Sequence, residues 1–127
     1  MRGGATMRVL VVEPERRPEV REIADSLKEM QGIVGGSIQT VDLDNNVVLV
    51  CNVRSKDLDM PANRSLRDKD GQIYDIVSGT FFLCGTLAGN LTSLTTGQIK
   101  RYRERFYTPE MFWGMDGRIV CLPLEVD

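Results

Sequence analysis

Met7-Arg8-Val9-Leu10-Val11-Val12-Glu13-Pro14 decides how this chain is read. Four apolar residues rich in β-branched valine are too few for a helix, and Pro14 stops them, so the run is a strand. After the charged turn Glu15-Arg16-Arg17-Pro18, the segment from Glu19 to Ile23 can pair back and close a hairpin. Ser26 then caps a helix whose apolar stripe is Leu27, Met30, Ile33 and Val34, with Gly35-Gly36 as its stop. Ser37 to Asp42 and Asn46 to Val53 predict a second hairpin across Leu43-Asp44-Asn45, where Asn45 tolerates a left-handed backbone.

Lys56 to Gly71 reads as the longest irregular stretch, charged and broken by Pro61, and long loops in compact domains tend to carry function. Ile73 to Val77 and Gly79 to Cys84 supply one or two strands, interrupted near Ser78-Gly79, where the glycine lets a backbone or a ligand approach. Gly85 to Leu94 reads as a small-residue loop. Thr95 and Gln98 have the spacing of a capping box, which predicts a helix to about Phe106 with Ile99, Tyr102 and Phe106 facing inward. Arg101 and Arg105 share another of its faces. Thr108-Pro109-Glu110 predicts a further short helix, and Arg118 to Leu122 a last strand after Asp116-Gly117. The expectation is an α+β domain: a mainly antiparallel sheet of about six short strands with two main helices. It occupies residues 7–127 as a single domain behind a leader of residues 1–6.

The chain has 127 residues, 42% apolar and 27% charged, enough for one core and too few for two domains. Its 16 basic and 18 acidic side chains leave a net charge of −2, without the basic excess that wraps nucleic acid, so no DNA partner is expected. No apolar run approaches the ~20 residues a membrane helix needs, and the N-terminus does not resemble a signal peptide; no membrane partner and a cytoplasmic location are expected. The absence of histidine removes catalytic triads, histidine-activated cysteines and most catalytic zinc sites.

Cys51, Cys84 and Cys121 each sit in an apolar stretch and read as small core residues. Asp68-Lys69-Asp70-Gly71 lacks the later ligands of a calcium loop and reads as a β-turn. No phosphate-loop or dinucleotide glycine pattern occurs. No metal, no cofactor and no catalytic residue is therefore expected. What remains for a ligand is Arg64 and Arg67 in the irregular stretch, the adjacent Phe81 and Phe82, and Arg101 with Arg105 on the helix. Neighbours on a strand point to opposite faces, so one phenylalanine can join the core while the other stacks on a base or a subunit. Arginine forks suit phosphate oxygens. A solvated basic face with an oligomer contact explains the same residues, and from these residues alone it is the plainer account.

The spaced set Val9 to Pro14, Val34-Gly35-Gly36, Asn63-Arg64, Asp70-Gly71, Tyr74-Asp75-Ile76, Gly79-Thr80-Phe81-Phe82, Ser93-Leu94-Thr95, Gln98-Ile99 and Arg105-Phe106 resembles a family of small uncharacterised domains. That family occurs in Gram-positive bacteria and in their phages, plasmids and conjugative elements. The layout also resembles the first family of Thoeris anti-defence sponges, phage proteins that hold cyclic ADP-ribose isomers without cleaving them. Some of those also sequester cyclic oligonucleotides, and they assemble as dimers or hexamers. This second resemblance implies a non-enzymatic, homo-oligomeric binder of such a nucleotide, with Arg64, Phe81, Phe82, Asn90, Arg101 and Arg105 as the matching ligand positions. The other function kept open is a protein-interaction module of a mobile element, acting on a host or conjugation factor.

Overall fold

The computed structural model describes residues 5–125. Residues 1–4 of the expected leader lie outside them, and the fold starts one residue before Met7, because Thr6 already pairs with Ala24. Strand β1 (Thr6–Val12) runs antiparallel to β2 (Glu19–Ala24), as the opening run predicts. Helix α1 (Leu27–Val34) follows; the Ser26 hydroxyl accepts from the Glu29 amide, and Gly35 at φ 83° ends it. Next come β3 (Ile38–Asp42) and β4 (Val47–Asn52), joined by a turn in which Asn45 and Asn46 are both left-handed. Ser26, Gly35 and Asn45 act as the cap, the stop and the turn expected of them. They read correctly because each is satisfied by neighbours a few residues away.

The stretch expected to be irregular contains a strand, β5 (Ala62–Arg67), paired with β6 (Ile73–Ser78). Its charged and polar composition hid it. Strand β7 (Phe81–Leu87) turns through Ala88 and Gly89 into β8 (Asn90–Thr92), so the expected loop at Gly85 to Leu94 is a hairpin. Helix α2 (Thr96–Arg105) carries the expected capping box between Thr95 and Gln98. No helix forms at Pro109. That residue is buried and its carbonyl accepts from the Leu124 amide, which closes the base of a hairpin of β9 (Glu110–Met115) and β10 (Arg118–Pro123). The described residues thus hold two helices and ten strands, all in antiparallel pairs, and the α+β class stands.

The main sheet runs β2-β1-β7-β4-β3, with β8 also on β7. Alternation along its inner strands feeds two separate cores. Leu10, Val12, Leu49, Phe81 and Leu83 pack with Tyr102 and Phe106 of α2 and with Leu66 and Val77 of the β5–β6 ribbon. Val9, Val11, Val50, Phe82 and Cys84 pack on the other face with Met30 and Val34 of α1. The central strands are covered on both faces, which is why they read as continuous apolar runs rather than as alternating ones. Burial of this kind contributes about 25 cal/mol per Å² of apolar surface and is the main favourable contribution to the fold.

Candidate functional site

Opposite α1, the ribbon, α2 and the β3–β4 turn surround an open cleft of about 910 Å³. One wall is α2, which presents Arg101 and Arg105 one turn apart, as the helical spacing predicts. The helix is fixed to the β3–β4 turn by two bonds: the Tyr102 hydroxyl donates to the Asp44 carbonyl at 2.8 Å, and Gln98 Nε2 donates to the Asn45 carbonyl at 2.7 Å. That turn brings Asp42 and Asp44 to the cleft, with Asp44 3.7 Å from the Arg101 guanidinium. The facing wall is the end of the ribbon, with Arg67, Lys69 and Tyr74.

Two bulges shape the ribbon. Ala62 pairs with Ser78 and Arg64 with Val77, leaving Asn63 as an extra residue; Leu66 pairs with Asp75 and Arg67 with Ile73, leaving Tyr74 extra. The second bulge turns Tyr74 outward, 56% exposed at the cleft mouth. Arg67 is oriented by its own surroundings: Nε donates to Ser65 Oγ at 3.2 Å and Nη1 to the Gly71 carbonyl at 3.2 Å. Ser65 in turn donates to the Glu110 carboxylate at the start of β9. Arg105 Nη2 donates to the Arg67 carbonyl at 3.2 Å, tying the two cationic walls together, while its guanidinium lies 5.4 Å from the centre of the Phe106 ring. Asp68 accepts from the amides of Asp70 and Gln72, the β-turn expected there.

Of the six expected ligand positions, only Arg101 and Arg105 line this cleft, joined by Arg67 from the wider set. The other four lie outside it. Phe81 and Phe82 are both fully buried, one in each core, because β7 is central and both of its faces are covered at these positions. Neither is free to stack on a ligand in this fold. Arg64 is also fully buried. Nε donates to the Phe106 carbonyl at 3.1 Å, Nη1 to Asn63 Oδ1 at 2.8 Å and to its carbonyl, and Nη2 to the Arg16 carbonyl. Burial lowers its pKa to about 10, partly offset by Glu110. Asn63 completes the knot by donating to the carbonyls of Val12 and Gly79, both at 2.9 Å. Asn90 is exposed opposite Leu87 at the start of β8 and forms no part of the cleft lining.

The glycines expected to admit a ligand admit protein instead. A Cβ on Gly79, at φ 77°, would fall 2.7 Å from Met60 Sδ, and one on Gly85 would fall 2.8 Å from the Ser93 carbonyl. Cys51 and Cys84 are buried as expected, whereas Cys121 is half-buried. Burial raises all three thiols, Cys84 to about 12. Among the described residues no three His, Cys, Asp or Glu side chains gather as metal ligands would, and no helix is long and apolar enough to cross a membrane. Sequence reasoning missed Tyr74 and Lys69 as cleft residues. Lys69 was absorbed into the supposed loop, and Tyr74 into a strand whose bulge no sequence signal marks.

The profile of a family described as a domain of unknown function, DUF3846, matches residues 7–107, ending just before the β9–β10 hairpin. No curated protein and no solved structure matches the chain.

Proposed function

The chain belongs to the DUF3846 family, and we propose that it is a non-enzymatic protein that captures a small phosphate-bearing nucleotide in the cleft between α2 and the ribbon. The observation that carries this reading is the convergence of Arg67, Lys69, Arg101 and Arg105 from two elements on one cavity, beside the exposed ring of Tyr74. Guanidinium forks take phosphate oxygens in pairs, and an exposed aromatic face takes a base. Capture without turnover fits a chain with no histidine and with Cys51 and Cys84 held as neutral, buried thiols. In the setting that the resemblances imply, the protein sequesters a cyclic ADP-ribose isomer or a cyclic oligonucleotide in the bacterial cytoplasm, as a homo-oligomeric anti-defence protein of a phage or mobile element.

Equilibrium dialysis of the full chain against a panel of cyclic and linear nucleotides, with the bound fraction weighed by mass spectrometry, tests this. Saturable binding and recovery of the ligand intact are expected. Release of a cleaved product would remove the non-enzymatic reading, and a panel without any binding would remove the nucleotide reading.

One observation favours a second reading, the protein-interaction module. The β9–β10 hairpin exposes Trp113, Met115 and Leu122, whose registers place them on one face of its two strands. Exposed apolar groups so grouped are typical of a protein contact. Capture of one stoichiometric host protein, lost in Trp113→Ser and indifferent to nucleotides, would establish it instead.

A further inference from the structure

The cleft contains as much negative charge as positive. Arg67, Lys69, Arg101 and Arg105 face Asp42, Asp44, Asp68 and Glu110, four against four. Two of these carboxylates are already engaged within the protein, Asp68 in its own turn and Glu110 with Ser65. Asp44 has only the long 3.7 Å contact to Arg101, with both side chains more than half exposed, and no protein donor meets the Asp42 carboxylate among the described residues. A carboxylate at neutral pH only accepts hydrogen bonds. A ligand that is nothing but phosphate would therefore leave this wall facing like charge, and a phosphodiester polymer would meet no net positive field.

We infer that the ligand carries a vicinal diol, as a ribose does, and that the diol is read by Asp42 and Asp44 while its phosphate lies among Lys69, Arg67 and Arg105. Adjacent hydroxyls can donate to the two oxygens of one carboxylate, and such charge-assisted bonds are stronger than neutral ones. Residues 42 and 44 lie at the end of β3 and in the turn held by the Tyr102 and Gln98 bonds, so the acceptors are presented by a fixed element. This rests on the nucleotide reading above and narrows it to ribonucleotides whose 2′ and 3′ hydroxyls are both free.

Calorimetric titration of the full chain with ADP, 2′-deoxy-ADP and inorganic pyrophosphate separates the two levels. ADP should bind about tenfold more tightly than 2′-deoxy-ADP, the discrimination of a charge-assisted hydrogen bond. Asp42→Asn, at an exposed position and with its fold checked by circular dichroism, should shrink that ratio without weakening pyrophosphate binding. Arg105→Ala should weaken all three ligands. Equal affinity for ADP and 2′-deoxy-ADP would overturn the diol contact and leave the nucleotide reading standing. No binding by any of the three would overturn the diol contact, and the same silence across the nucleotide panel in dialysis would overturn the nucleotide reading with it.

Discussion

The main sheet and the β5–β6 ribbon treat the same kind of residue in opposite ways. In β7, regular alternation sends Phe81 and Leu83 to one core and Phe82 and Cys84 to the other, and nothing in the strand is left for chemistry. In the ribbon, bulges at Asn63 and Tyr74 break the alternation, so four consecutive residues, Asn63 to Leu66, are all buried while Arg67 and Tyr74 emerge. Arg64 and Arg67 are three residues apart with identical side chains. One pins carbonyls from three segments inside the protein; the other opens onto the cleft. Role follows from the local ladder rather than from residue type.

The sheet side of this contrast breaks with the largest effect. Phe82→Ala and Phe81→Ala should each cost about 3–5 kcal/mol, the cost of removing a phenylalanine from a packed core. Urea unfolding monitored by circular dichroism measures it. A loss below about 1 kcal/mol for either would mean that the ring lies at a surface after all. The ribbon comes next: Arg64→Met keeps most of the volume but leaves the buried Phe106 carbonyl and the buried Asn63 Oδ1 without this donor, at about 1–3 kcal/mol each. A loss of about 3 kcal/mol is expected in the same assay. If Arg64 served a ligand instead, stability would hold and nucleotide binding would fall.

These two variants also mark what was legible in the sequence. Ser26, Gly35, Asn45 and the Thr95–Gln98 box specify their elements because their partners lie within four residues. Arg64 could not be placed in that way, since the two acceptors beyond its neighbour Asn63 lie 42 and 48 residues distant along the chain and are backbone carbonyls that no side-chain chemistry marks. The alternation of Phe81 and Phe82 was read correctly, and only the second cover, α1, was missing from the inference. Pro109 misled for a related reason: proline fits a first helical turn and a strand entry equally well, and the choice is made by β10 pairing back from 118–123. The cleft was half legible. Arg101 and Arg105 share a helix face by spacing alone, whereas Arg67, Lys69 and Tyr74 reach them only because the ribbon folds over.

Arg105→Ala sharpens the contrast from the exposed side. Its guanidinium makes one hydrogen bond, to the Arg67 carbonyl, and lies at the surface, so the stability change should stay within about 0.5 kcal/mol. Nucleotide affinity should fall about tenfold, as for the loss of one charge-assisted contact. Dialysis with the panel nucleotides and a parallel urea curve give both numbers. A large loss of stability with unaltered binding would place Arg105 with Arg64, among the residues that hold the fold.

The two regions also differ in a pair of alkaline slopes with opposite signs, one from each. Cys84, in the sheet, is raised from its ordinary value of 9.0 to about 12 by burial and by Asp25. Between those values the unfolded chain has released the thiol proton and the folded chain retains it, so stability falls as pH rises, by up to about 1.4 kcal/mol per pH unit. The contribution is fully present below pH 9. Arg64, in the ribbon, is lowered by burial to about 10, so above that pH the folded chain gives up a proton that the unfolded chain keeps, and stability rises with pH. The raised thiols of Cys51 and Cys121 add to the same decline. Cys84→Ala should make the decline shallower, and Arg64→Met should leave it in place while removing the opposing rise above pH 10. Thermal or urea midpoints across pH 8–11 read both slopes. An unaltered decline in Cys84→Ala would mean that the sheet interior does not hold that thiol neutral, and the contrast between a thiol that burial keeps protonated and a guanidinium that burial makes easier to deprotonate would lose its first half.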